Sequence, residues 1–150
     1  MDNSQEINIR AFLKFIRYAE HRREDNSVYY RIYGNKLTFS DISKHPNVRV
    51  VAWGRTSTAA GAYQILYSTW QEAVEKGIVR DFTPLSQDKI ALWKLRTRHA
   101  LSHVQRGEID RAIPFLRKEW TSMPGAAESK MTMNQAKLLF NKYVMEYGTP

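Results

Sequence analysis

A chain of 150 residues is long enough for one compact domain with a real core and too short for two ordinary ones. Apolar residues at 43% and charged residues at 25% exclude a disordered chain, and no run approaches the roughly 20 apolar residues of a membrane helix. Lys and Arg outnumber Asp and Glu by 23 to 15, a net charge of +8 that favours polyanionic partners (nucleic acid, anionic lipid, an acidic cell envelope) without choosing among them. Cysteine is absent, so disulfides and thiolate metal sites are excluded, and the N-terminal MDNSQEINIR lacks a secretory pattern, which leads us to expect synthesis in the cytoplasm.

Ile9, Phe12, Leu13 and Ile16 recur at the i, i+3, i+4, i+7 spacing of a buried helix face, predicting a first helix from about Ile7 to near Glu20. One more turn of that stripe lands on Glu20. Either the helix ends there and the carboxylate faces water, or apolar neighbours raise its pKa and keep it protonated near neutral pH, as a general acid requires. Val28 to Tyr33 is rich in β-formers, Gly34-Asn35 supplies a turn, and Val48 to Trp53 is a second β-prone run after the His45-Pro46 break. These runs predict a small antiparallel sheet.

Helical periodicity then returns. Tyr63, Leu66, Tyr67, Trp70, Ala73 and Val74 trace one face, with Gly77 as a C-terminal stop. Thr83-Pro84 reads as an N-cap followed by proline at the first helical position, opening a helix that carries Ile90, Trp93, Leu101 and Val104 and stops at Gly107. Ile109, Ala112, Ile113, Leu116 and Trp120 suggest another helix, which Pro114 must kink or restart. Thr132 and Gln135 form a capping box before Leu139, Phe140, Tyr143, Val144 and Tyr147, and Gly148 closes the element. The layout is α+β with helices dominant, in one domain over 1–150 without repeats or linkers.

Ser57-Thr58-Ala59-Ala60-Gly61-Ala62-Tyr63-Gln64 consists of small and hydroxyl residues leading into a helix. Such a segment lets a polymer approach the backbone closely, with a ring and an amide beside it; alone, it is also what a tight turn looks like. Joined to Glu20 on its helix, the pattern resembles the lysozyme-like endolysins of lambda-type bacteriophages, which are peptidoglycan lytic transglycosylases. The likeness runs on through Leu37 to Pro46, which follows the family's Leu-Phe-x-Asp-x-Ser-x-His-Pro with an offset of one residue. It continues through Asp81-Phe82-Thr83-Pro84-Leu85-Ser86-Gln87-Asp88, Arg106-Gly107-Glu108-Ile109 and Trp120-Thr121-Ser122-Met123-Pro124-Gly125.

The resemblance implies a lysozyme-like α+β fold, mostly helical with a small antiparallel sheet and a cleft between sheet and helices, with no separate wall-binding domain. It makes Glu20 the single catalytic acid, puts Ser57, Thr58, Tyr63 and Gln64 in the wall of the glycan cleft and Gln87 close to the site. The implied substrate is bacterial peptidoglycan, cleaved at the β-1,4 bond between N-acetylmuramic acid and N-acetylglucosamine with a 1,6-anhydro product, for host-cell lysis. No cofactor is implied. The implied location is the host cytoplasm until a holin opens the membrane, after which a monomer acts on the periplasmic wall with no stable membrane insertion and at most a weak attraction to the anionic envelope. One departure stands out: the family's glycine after the catalytic glutamate is His21 here, so that His21-Arg22-Arg23-Glu24 is able to continue the helix, leaving Glu24 as a competitor for the acid.

A second carboxylate would make the enzyme a true muramidase, and Asp25 and Asp41 are the candidates, each also readable as a turn former. His99 and His103 lie four apart on a predicted helix, a metal-binding spacing, but no third ligand accompanies them, so no metal site is expected. His45 before Pro46 reads as structural. Two non-lytic readings compete: a basic helical nucleic-acid binder, which the scattered cations and missing motif disfavour, so that no nucleic-acid partner is expected, and a glycan binder whose acid is displaced by His21.

Overall fold

The computed structural model describes residues 2–149. Among them are six α-helices, a 3-10 helix and one two-stranded sheet: α1 (Asn3–His21), a 3-10 turn (Asn26–Tyr30), β1 (Val50–Ala52), β2 (Arg55–Ser57), α2 (Tyr67–Glu75), α3 (Pro84–Thr97), α4 (Leu101–Gln105), α5 (Ile109–Leu116) and α6 (Met133–Gly148). No helix among the described residues is long and apolar enough to cross a membrane. The chain forms two compact units, one made of the residues up to Arg22 together with those from Leu92 onward, the other of Arg23–Ala91.

In the first unit, α1 begins earlier than its apolar stripe. Asp2 and Gln5 make a capping box, with the Asp2 carboxylate accepting from the Gln5 N–H at 2.9 Å, so the helix nucleates before Ile9. Its face of Ile9, Phe12, Leu13, Phe15 and Ile16 is buried, and Phe12 packs on Phe15 and on Phe140 of α6. Asn8 donates to the Gln105 carbonyl at 2.9 Å, and Lys14 pairs with Glu146 at 2.8 Å. Thr132 and Gln135 bond reciprocally at the start of α6, as their spacing predicts.

The single helix expected from Pro84 to Gly107 is two. α3 stops at Thr97, and His99 takes a left-handed conformation (φ 63°) before α4 begins at Leu101. His99 and His103 therefore do not share a helix. His103 stacks on Phe115, with ring centroids 5.9 Å apart, and its Nδ1 lies 3.6 Å from Glu108. Pro114 sits inside α5, which ends at Leu116, so Trp120 lies beyond the helix rather than on it.

In the second unit the first half of the predicted strand Val28 to Tyr33 belongs to the 3-10 turn. Asp25 accepts from the Ser27 N–H at 3.0 Å and caps it, overriding the β preference of Val28-Tyr29-Tyr30. Only isolated bridges follow, pairing Arg31 with Thr38 and Ile32 with Ala60. The sheet is the hairpin β1–β2 in the register Val50↔Ser57, Val51↔Thr56, Ala52↔Arg55, turned by Trp53 (φ 51°) and Gly54 (φ 74°). A two-residue turn with both φ positive matches the strand twist, but a tryptophan rarely occupies it. Trp53 stands 70% exposed at the tip, edge-on to Tyr33 at 5.3 Å. α2 starts at Tyr67, four residues later than the periodicity from Tyr63 suggests. α3 opens as Thr83-Pro84 predicts, the Thr83 hydroxyl accepting from the Ser86 N–H at 3.2 Å.

The α6 cap is exposed, so its loss leaves no cavity. Thr132→Ala is expected to lower stability by about 1 kcal/mol and the melting temperature by about 2–4 °C, measured by urea and thermal unfolding.

Candidate active site

Glu20 occupies the last turn of α1, which ends at His21. Arg22 provides the stop: it takes the left-handed conformation (φ 57°) and its N–H donates to the Tyr18 carbonyl at 2.7 Å. The helix thus runs through the position where the resemblance expects glycine and is capped one residue later, without glycine. His21 is its last residue and is buried, and Glu24 lies beyond the helix and is exposed.

Glu20 is half-buried, and removal from water pushes its pKa up to about 8. Two groups from the 120s modify this. The Ser122 side chain opposes the rise, although its Oγ makes no hydrogen bond of ordinary geometry, and the Glu128 charge adds to it. Their segment is fixed around them: the Ser129 hydroxyl donates to the Ser122 carbonyl at 2.8 Å, and Thr121 donates to Glu128 at 3.2 Å. Arg117 donates to the Pro124 carbonyl at 2.8 Å and passes so close to Gly125 that a Cβ there would lie 2.5 Å from the guanidinium. Ser122 and Glu128 escape the sequence reading. The one signal for Ser122 was its place in the Trp120 to Gly125 motif.

The other predicted residues lie together in the second unit, with unequal exposure. Gly61-Ala62-Tyr63-Gln64 is a four-residue loop closed by two hydrogen bonds between Ala60 and Ile65, at 3.1 and 2.9 Å, rather than the start of a helix. Tyr63 is fully buried and donates to Asp88 at 2.5 Å, beside Tyr29, which donates to the same oxygen at 2.7 Å. Gln87 is also fully buried. Its Oε1 accepts from the Ala62 N–H at 2.9 Å while its Nε2 donates to the Tyr29 and Phe82 carbonyls at 3.1 and 3.0 Å. Gly61 (φ +81°) is required here, because a Cβ would sit 2.3 Å from that Oε1. Tyr63 and Gln87 therefore shape the loop from beneath. Ser57, Thr58 and Gln64 keep partial exposure; Gln64 bonds back to the Gly61 carbonyl at 3.0 Å, and Ser57 and Thr58 line a surface pocket of about 280 Å³.

The remaining titratable candidates serve their own loops. Asp25 is exposed, and its bonds to Ser27 and Arg23 hold its pKa down near 2. Asp41 is exposed and lowered by the Ser43 hydroxyl and N–H. His45 is buried with Nδ1 accepting from the Asn47 N–H and Nε2 2.7 Å from the Ile65 carbonyl, so the Nε2–H tautomer is the one that fits, and burial lowers its pKa. No group of three or more His, Asp or Glu side chains among the described residues is arranged to hold a metal ion.

A protonated carboxyl closing a helix, in an α+β chain with a small hairpin, is a lysozyme-like arrangement, and comparison with known proteins agrees. Residues 10–149 match the family model described as Endolysin. The chain belongs to the endolysin family. This endolysin is 35% identical to the endolysin of Escherichia phage P2 over 88% of each chain. It is 35% identical to that of Escherichia phage lambda over 93% of this chain and 91% of the other. The lysozyme of bacteriophage lambda complexed with a chitohexasaccharide superposes with a TM-score of 0.80 at 32% identity, covering 99% of this chain and 96% of that one. A second structure of the lambda lysozyme gives 0.78 at 30%. The fold is lysozyme-like, and the protein is a lysozyme-type endolysin acting on peptidoglycan.

Between pH 4.5 and about 8 the folded protein holds a proton on Glu20 that the unfolded chain has lost, so this group makes stability fall as pH rises through that window. Glu20→Gln removes the titration. Its melting temperature is expected to exceed that of the wild type at pH 8 by roughly 10 °C and to converge with it near pH 4, measured by circular dichroism.

Proposed function

We propose that this endolysin is a lytic transglycosylase in which Glu20 is the only catalytic carboxyl group. The observation that carries the reading is the removal of Glu20 from water in the last turn of α1, which pushes its pKa up to about 8. The Glu20 O–H delivers that proton to the glycosidic oxygen as positive charge develops at C1 of N-acetylmuramic acid, and the bond to the leaving N-acetylglucosamine breaks. The sugar's own N-acetyl oxygen supports C1. Its C6 hydroxyl then bonds to C1 and returns a proton to the Glu20 carboxylate, leaving a 1,6-anhydro end with no water consumed. Two observations support this over hydrolysis: Asp25 and Asp41 are exposed, ionised and tied to their own Ser27 and Ser43 turns. The chitohexasaccharide carried by the lambda lysozyme supports a polymeric amino-sugar substrate for this chain too. We extend the proposal to binding: Ser57, Thr58 and Gln64 face the glycan, Tyr63 and Gln87 hold their loop, and a monomer acts on the wall after release from the host cytoplasm.

Glu20→Gln is expected to lower the rate of wall digestion by at least ~10²-fold while folding normally. Mass spectrometry of wild-type digests should find ends one water lighter than reducing ends; reducing ends instead would establish a muramidase. Because the acid must be protonated, wild-type kcat/KM should fall about tenfold per pH unit above about pH 8, read from initial rates on purified walls.

A further inference from the structure

The segment from Ile42 to Gln71 contains Lys44, Arg49 and Arg55 and no Asp or Glu. Arg49 immediately precedes β1, exposed, and among the described residues no carboxylate lies within ion-pair distance of it. With Thr56, Ser57, Thr58 and Leu66 it lines the 280 Å³ pocket.

Two hydroxyls of that pocket are held in place by backbone N–H groups. Ser57 Oγ already accepts from the Ala59 N–H at 3.0 Å, and Thr58 Oγ1 accepts from the Tyr67 N–H at 3.1 Å. A hydroxyl whose oxygen is engaged still has its own proton to give. Two fixed hydroxyls and a guanidinium therefore present donors to whatever enters, and a guanidinium fork suits a carboxylate in two parallel bonds. Leu66, 46% exposed, adds one apolar wall. A neutral sugar would leave the guanidinium without a counter-charge; a carboxylate next to a small methyl-bearing residue would satisfy both halves of the pocket.

We propose that the pocket of Arg49, Thr56, Ser57, Thr58 and Leu66 binds a carboxylate of the peptide stems that peptidoglycan carries and chitin-type glycans lack. Arg49 is then a specificity-determining residue, reading the substituent rather than the sugar backbone. The inference rests on the proposed action on peptidoglycan and is independent of whether the product is an anhydro or a reducing end.

The test uses purified sacculi with acetylated amines, the carboxylates either left free or converted to neutral methylamides. On free-carboxylate sacculi Arg49→Gln is expected to raise KM about fivefold with kcat unchanged, and Arg49→Lys to recover part of the loss. On amidated sacculi wild type and Arg49→Gln should be alike, both at the higher KM. Lys118→Gln, which removes an equal charge at an exposed position in the other unit, should not discriminate between the two preparations. An equal loss for Arg49→Gln on both preparations, or no loss on either, overturns the proposal. If the wild type releases no fragments from either preparation, the lytic reading fails instead. Co-sedimentation then decides the pocket: retention on free-carboxylate sacculi that Arg49→Gln abolishes sustains it, and equal retention of both proteins overturns it.

Discussion

Phe12, Phe15 and Ile16 of α1 are fully buried, and Phe12 meets Phe140 of α6 edge-on with 6.4 Å between ring centroids. This packing is the constraint on which the placement of Glu20 depends. A helix pressed inward along one stripe carries its last turn inward as well, and Glu20 continues the stripe. The aromatic contacts two turns earlier anchor the helix that carries the carboxyl group. Lys14 and Asn8 fix the rotation of α1 through Glu146 and the Gln105 carbonyl, so the side chain that continues the stripe is set by the register of the whole helix.

The second unit achieves rigidity by a different physical route. Its strands are three residues long and its loops predominate, so backbone pairing alone fixes little. Buried polar side chains substitute for a larger sheet. Gln87 satisfies all the capacity it turns toward the Gly61-Ala62 loop and the Tyr29 and Phe82 carbonyls, and Asp88 takes two phenol protons at once. Such groups stabilise only when fully paired, which makes their geometry exacting. That is why Tyr63 and Gln87, though they share motifs with partly exposed residues such as Gln64, are sealed from solvent in space.

The features legible in the sequence were those written locally. The apolar stripe ending on Glu20, the Thr132–Gln135 box and the Thr83-Pro84 start each depend on residues within a few positions of one another. The misreadings have a common cause. The Val28 to Tyr33 run has β preference, but a single carboxylate at Asp25 captured its backbone first. His99 divides α3 from α4 by adopting a left-handed conformation for which no glycine gives warning, and Arg22 does the same after α1. The influence of Ser122 and Glu128 on Glu20 joins residues about a hundred positions apart, and no local pattern encodes such a meeting. Likewise Ser57 and Thr58 were visible as small polar residues, but the pocket they share with Arg49 exists only once the hairpin register is set.

The first unit is assembled from both ends of the chain, whereas the second is one continuous segment. During synthesis, α1 leaves the ribosome first and its partner α6 last. The contacts of the middle segment become available well before those that bury Phe12 and Phe15, because long-range closure waits for the distant strand or helix to exist. Until α6 has emerged, the stripe of α1 lacks the cover that Phe140 gives Phe12. The pairing that anchors the helix of Glu20 is thus the last the chain is able to make, and a chain cut short before Met133 carries α1 without its partner.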